Sequence, residues 1–225
     1  MRTAAILPVK SFARAKQRLS ASIADPLRLE LARAMVADVL LALAQTTSIE
    51  RTIVITREDS VARSASELGA LVIADDAEAG QSAAASLGVR RALAEGFERV
   101  LCVPGDCPAL DPAELDALLS TSTSAVTIVP DRHGTGTNGL LLTPPDAIAP
   151  SFGPDSCERH STLAREAGIA PSVERLASLL LDIDTGADLA ELRDRLRGHS
   201  DRASRTRAAL GQPAGTHLIT TSTTA

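Results

Sequence analysis

The residues in this chain best suited to chemistry are acids placed just past apolar runs and a dense group of cations. In RVLCVPGDCPALD, residues 99–111, Val100 to Val103 read as a short buried strand. Pro104 and Gly105 break it, so Asp106 falls just beyond the strand end. Ligands of open α/β sheets gather outside the carboxyl ends of the strands. An acid delivered there can hold a divalent metal and, through it, a phosphate; the other reading is a turn cap. Asp111, followed by Pro112, reads as a helix cap. A second acidic pair, Asp182 and Asp184, ends the apolar run 176–183, which reads as a strand. Alternation puts both on one side while the chain stays extended. Either Asp184 meets Asp106 across the crevice as a two-carboxylate metal site, or these acids cap the helix expected at 187–196.

The cations lie after the first apolar run. PVKSFARAKQRLS, residues 8–20, carries Lys10, Arg14, Lys16 and Arg18. Several cations among small residues suit a polyphosphate, although a solvated charged loop has the same composition. Small residues recur at three further places. Gly80 precedes a helix opened by Ser82 to Ala85, which lets a ligand approach free N–H groups. Gly134, Gly136 and Gly139 flank Thr135, Thr137 and Asn138. Phe152 and Gly153 lead through Pro154 into a helix that begins near Ser156.

Other chemistries find no footing. There is no GxxxxGK[ST] loop, no GxGxxG after the first strand, no GxSxG elbow and no deaminase zinc spacing. Three cysteines, Cys102, Cys107 and Cys157, make neither a disulfide framework nor a paired zinc motif. Net charge is −5 and aromatics are 1%, with no Trp or Tyr, so neither nucleic acid nor base stacking is favoured. The longest apolar stretch, around residues 35–44, is interrupted by Asp38 and too short for a bilayer. With no signal peptide read, a soluble, cytoplasmic protein is expected, without membrane or nucleic-acid partners.

The elements that must position these residues follow an alternating rhythm. Strands are expected at 4–7, closed by Pro8, then at 52–56, 71–73, 100–103, 125–129 and 176–183. Helices alternate with them: one from Asp25 and Pro26 with a stripe at Leu31, Met35, Val39 and Leu43, others ending at Gly69 and Gly96, and one through Leu119. This is an α/β pattern with a mostly parallel sheet. Residues 1–198 read as a single domain, and 199–225 as a short helix near 203–210 with a disordered, Thr-rich tail. Phosphate chemistry remains, and a nucleotidyltransferase fits better than a kinase or hydrolase.

Five segments in order, PVKSFARAKQRLS, PGDCPALD, GTGTNGLLL, FGPDSCERH and LLLDIDTGADL, resemble the phosphoenolpyruvate and 2-phospho-L-lactate guanylyltransferases of coenzyme F420 biosynthesis, from about residue 4 to 196. The resemblance implies a three-layer α/β sandwich of the Rossmann-like nucleotide-diphospho-sugar transferase type with a mixed sheet. It implies GTP as co-substrate and Mg2+ as cofactor. GMP passes to a small phosphorylated carboxylic acid, taken here as phosphoenolpyruvate with 2-phospho-L-lactate as the alternative, and pyrophosphate leaves. By the match, Lys16, Arg18 and Asp106 are catalytic. Lys10, Lys16, Arg18, Gly80 and Ser82 hold GTP, and Asp106 and Asp184 hold the metal. Thr137, Gly153 and Ser156 form the acid pocket. Many relatives carry Leu-Asn where this chain has Gln81-Ser82: either Gln81 or Ser82 replaces that amide or the base contact is looser, a departure that bears on guanine selectivity and not on the reaction class. A cobinamide- or molybdopterin-type transferase and a non-catalytic nucleotide-binding protein are the rival readings. A homodimer and a transient contact with the next pathway enzyme are the partners left open.

Overall fold

A computed structural model describes residues 1–12, 23–197 and 202–211. Its centre is β1 (Thr3–Val9), buried at every position. The side chains of β1 alternate between two apolar layers. Ala5, Leu7 and Val9 join one layer, and Ala4 and Ile6 the other, as the period of a strand buried on both faces requires.

Pro8 does not close this strand. β1 continues to Val9, with Pro8 opposite Ile55 of β2 (Arg51–Thr56). On its other side β4 (Arg99–Cys102) pairs only from Thr3 to Ile6. The missing N–H of Pro8 falls where that neighbour has already left, so the position behaves as an edge.

The sheet has seven strands in the order β3-β2-β1-β4-β6-β5-β7. β3 (Leu71–Ala74), β2, β1 and β4 are parallel. β5 (Val126–Pro130) and β6 (Thr137–Leu142) pair antiparallel, and β6 is also antiparallel to β4. The Gly-rich segment 131–136 is therefore a hairpin turn, short enough to join only antiparallel neighbours. Asp131 closes it: its N–H donates to the Gly136 carbonyl at 3.1 Å, and its carboxylate accepts from the Thr135 N–H at 3.0 Å.

Three layers result. α1 (Asp25–Gln45), α2 (Asp59–Glu67) and α4 (Pro112–Thr121) cover one face through residues such as Val39, Val61 and Leu115. α3 (Gln81–Ala94) and α5 (Ser156–Glu166) cover the other through Ala85, Val89 and Ala164. α3 approaches the sheet so closely that a Cβ at Gly88 would lie 2.5 Å from Ile6 Cγ2 and 2.9 Å from Ile55 Cδ1.

The strand expected at 176–183 is absent. The last strand is instead β7 (Ser172–Val173), parallel to β5. Residues 176–180 turn back on themselves, the Leu179 and Leu180 N–H groups donating to the Leu176 carbonyl at 3.0 and 3.1 Å. The apolar run has another cause. Leu181 and Ile183 enter a third cluster with Leu31 and Met35 of α1 and Leu189, Leu192 and Leu196 of α6 (Gly186–Leu196). Short apolar runs do not distinguish a buried strand from a buried irregular segment. The expected disordered tail at 212–225 lies outside the described residues. The short helix before it, α7 (Ser204–Ala209), packs on α1. No helix among the described residues is long and apolar enough to cross a membrane.

Candidate active site at the strand ends

A cavity of about 560 Å³ opens at the carboxyl ends of β1 and β4. The rule for open α/β sheets predicts this place. Lys10 lines it from the end of β1, Asp106 from the end of β4, and Thr137 and Asn138 from the start of β6. Gly153 and Ser156 line it from the turn into α5, Asp182 and Asp184 from the segment before α6, and Gln81 from the first turn of α3. Of the residues expected at the site, Lys10, Asp106, Thr137, Gly153, Ser156 and Asp184 thus share one cavity. Lys16 and Arg18 lie outside the described residues. Gly80 and Ser82 do not line the wall; Gln81 between them does. The Ser82 hydroxyl accepts from the Phe152 N–H at 2.9 Å, fastening the start of α3 to the turn before α5.

The acidic rim survives the loss of its expected strand. Leu181 and Ile183 point into the core while Asp182 and Asp184 both reach the cavity, so the alternation persists without strand pairing. The Ile183 N–H donates to the Asp106 carbonyl at 3.1 Å and pins this segment to the β4 end. Asp182 is the carboxylate with the clearest electrostatic signature. Burial pushes its carboxyl above the usual range and the Asp106 charge pushes the same way; the Asn138 amide opposes them. Asn138 Nδ2 donates to Asp182 Oδ1 at 3.1 Å and to the Leu179 carbonyl at 2.7 Å. Asn138 therefore fixes the acidic segment against β6, a role that a single short amide in a Gly/Thr turn did not announce.

The donors on this rim are carboxylate oxygens, the set that suits a hard divalent cation. No convergent group of three or more His, Cys, Asp or Glu side chains exists among the described residues. The opposite wall is suited to anions. α3 opens there at Gly80 and Gln81. At the start of α5 the Ser156 and Cys157 N–H groups already donate to the Gly153 and Thr135 carbonyls at 3.2 and 3.0 Å, so Ser156 reaches this wall with its hydroxyl to offer. Gly153 has φ +116°, a backbone that favours glycine.

Covalent chemistry is disfavoured. Burial pushes the Cys102 thiol up to about 12, so it is no nucleophile. His133 does not line the cavity; its Nε2 pairs with Arg132 Nε at 3.0 Å. Asp111 is the cap expected for α4, accepting from the Ala113 N–H at 3.0 Å. Asp75, past the end of β3, accepts from the Glu78 N–H at 3.2 Å as a turn residue. Nothing in the sequence marked His160 for the site, although its place four residues after Ser156 puts it one turn along the same helix face. It is fully buried and hydrogen-bonded to Thr137.

A mixed α/β sheet with an acidic rim at its strand ends and helix N-termini facing that rim is the framework of a nucleotidyltransferase. A structure from Desulfovibrio desulfuricans G20, assigned to the nucleotide-diphospho-sugar transferases, superposes with a TM-score of 0.76 at 19% identity, covering 94% of this chain and 95% of that one. A nucleotidyl transferase from Methanothermobacter thermautotrophicus superposes at 0.63 and 18% identity, covering 88% and 99%. The chain belongs to the family described as "Guanylyl transferase CofC like", which it matches over residues 3–206. Among its relatives, a phosphoenolpyruvate guanylyltransferase of Conexibacter woesei is 49% identical over 94% of this chain and 96% of its own. A 2-phospho-L-lactate guanylyltransferase of Methanothermobacter thermautotrophicus is 34% identical over 85% and 84%.

Proposed function

We propose that the protein transfers GMP from GTP to phosphoenolpyruvate, giving enolpyruvyl-diphospho-guanosine and pyrophosphate, as a step of coenzyme F420 biosynthesis. The observation that carries this reading is the single cavity that joins an acidic rim to the N-terminal turns of α3 and α5. A triphosphate and a phosphorylated carboxylic acid together need both walls: carboxylates for a cation on one side, and on the other the first turn of α3 with the Thr137 and Ser156 hydroxyls. The choice of acid follows the relative that is 49% identical. The 34% identical relative favours 2-phospho-L-lactate as the second reading, with the same mechanism.

In this reading a phosphate oxygen of the acid attacks the α-phosphorus of GTP in line, and pyrophosphate leaves. The attacking atom is already anionic, so no protein nucleophile is needed. Asp106 and Asp184 would hold Mg2+, and the ion would supply positive charge against the phosphate oxygens. Lys16, Arg18 and Lys10 serve the triphosphate. Gly80 and Ser82 serve the GTP side through the start of α3, where Gln81 is the residue that reaches the cavity. The Thr137 and Ser156 hydroxyls and the Gly153 backbone receive the acid. Asn138 keeps Asp182 in place.

The test is pyrophosphate release from GTP with Mg2+, offering each acid separately, beside Asp106→Ala. Release with phosphoenolpyruvate that the substitution abolishes is the expected result. A preference for 2-phospho-L-lactate keeps the chemistry and changes the substrate. No release with either acid overturns the reading and brings forward a larger phosphorylated acceptor or a silent GTP-binding protein.

A further inference from the structure

His160 is 0% exposed, yet it carries two polar ring atoms. Such a ring is tolerated in a core only when both nitrogens are paired. Both are. Nε2 accepts from the Ser151 N–H at 2.9 Å, and Nδ1 lies 3.1 Å from Thr137 Oγ1. A backbone N–H can only donate, so Nε2 must present its lone pair. In the neutral imidazole the proton then sits on Nδ1, which donates to Thr137 Oγ1. Burial, with the Arg159 charge adding to it, holds the imidazole down to about 4, so the neutral form persists at neutral pH. The Thr137 hydroxyl is thereby made an acceptor toward His160 and keeps its own proton to give. Thr137 and Ser156 line the same cavity, and His160 lies one turn along α5 from Ser156. The ring also meets Phe152 edge-on, with centroids 5.2 Å apart.

We infer that His160 is a positioning residue that fixes the Thr137 hydroxyl as a donor to an anionic oxygen of the phosphorylated acid. This inference rests on the acid pocket proposed above. It gives α5 two tasks, presenting Ser156 at its first turn and orienting the opposite hydroxyl from its second. Arg159 supports the same turn, its Nε donating to Ser151 Oγ at 2.9 Å.

Two substitutions separate the ring's bonds. His160→Asn retains a donor at the Nδ1 position and gives up the Ser151 contact. His160→Gln retains an acceptor at the Nε2 position and gives up the donor to Thr137. The expected result is that His160→Gln raises KM for phosphoenolpyruvate about 10- to 100-fold, the range for a lost bond to a charged group, with KM for GTP within about twofold. His160→Asn stays closer to wild type for the acid. Thr137→Val reproduces the His160→Gln effect, and combining the two adds little, since both remove one interaction. Equal movement of both KM values, or damage that follows melting temperature alone in both His160 variants, overturns the inference. Nitrogen-15 spectra of the wild-type protein test it without any variant: Nδ1 must carry the proton and Nε2 must not, and the reverse tautomer overturns it. Wild-type inactivity with both acids defeats the proposed function and this inference together. Wild-type activity with an unmoved acid KM in His160→Gln defeats this inference alone.

Discussion

At the scale of single residues, the site is a contest between like charges. Asp182 sits near Asp106 with its carboxyl pushed up by burial and by that neighbour. A carboxyl raised in the fold favours stability below its unfolded value and loses that contribution as pH rises through the folded value. The charged form of Asp182 therefore works against the apo fold as pH rises, and a cation held there would relieve it. Asp182→Asn removes the charge while leaving a side-chain oxygen for Asn138. The expected outcome, read by thermal melting at pH 8, is an unchanged or higher melting temperature without Mg2+ and a smaller gain when Mg2+ is added. A fall of several degrees without the metal would instead make the Asn138 bond the dominant effect. Asp184→Asn addresses the cation more directly: the Mg2+ concentration for half-maximal pyrophosphate release should rise by about tenfold or more, the scale on which altered metal surroundings weaken binding.

At the scale of elements, two contacts hold the layers around that site. α3 lies against β1 and β2 with no room for a Cβ at Gly88, where the neighbours are buried, β-branched Ile6 and Ile55. Stiff side chains on β1 and β2 cannot yield cheaply. Gly88→Ala should cost about 1–3 kcal/mol despite the better helix propensity of alanine, measured by urea unfolding. A stabilised variant would show that the helix can lift off the sheet without penalty. α7 is held differently. Its N-cap residue, Ala203, has no side chain to cap with. The Asp38 carboxylate of α1 does the capping from across the interface, accepting from the Arg205 and Thr206 N–H groups at 3.1 and 2.8 Å. Asp38→Ala should destabilise the protein by about 1–2 kcal/mol, the usual range for a lost cap, and expose the α7 amides to hydrogen exchange before the rest. The sequence made Asp38 only an interruption of an apolar stretch, because a cap supplied from another helix leaves no local pattern. Local patterns did reveal α1, α3, α4 and α6, whose apolar periods and terminal Pro or Gly residues are physical signals within one segment. They failed at 176–183, where burial against α1 and α6 imitates a strand.

At the scale of the whole molecule, what could be read from the sequence was the rim, and what could not was its bracing. Asp106 could be found from its place past a strand end, and Thr137 and Ser156 from the resemblance; all three line the cavity. Asn138 and His160 act across elements far apart in sequence, and only the assembled fold shows their partners. The same bracing makes stability depend on pH in a defined window. Unfolded, His160 takes a proton near 6.5. Folded, burial and the Arg159 charge hold it down to about 4. Between these values the unfolded chain binds the extra proton, so stability rises with pH there and falls as pH drops through the window. The contribution is full above about 6.5 and amounts to roughly 3 kcal/mol, since a tenfold change in proton affinity is worth about 1.4 kcal/mol. The carboxyls of Asp116, Asp188 and Glu191 are held below their usual range and lose their contributions only toward lower pH. Asp38 and Asp182 are raised and act in the opposite sense. Comparing variants at His160 leaves those carboxyls in both proteins and so singles out the imidazole. Urea unfolding of wild type and His160→Asn at pH 7.5, 6.5, 5.5 and 5 isolates it: the wild-type advantage at pH 7.5 should shrink steadily as the pH falls. Two curves that stay parallel across the window would mean that the buried ring can charge without disturbing Thr137 and Ser151, and the bonds that fix its tautomer would not be what holds it neutral.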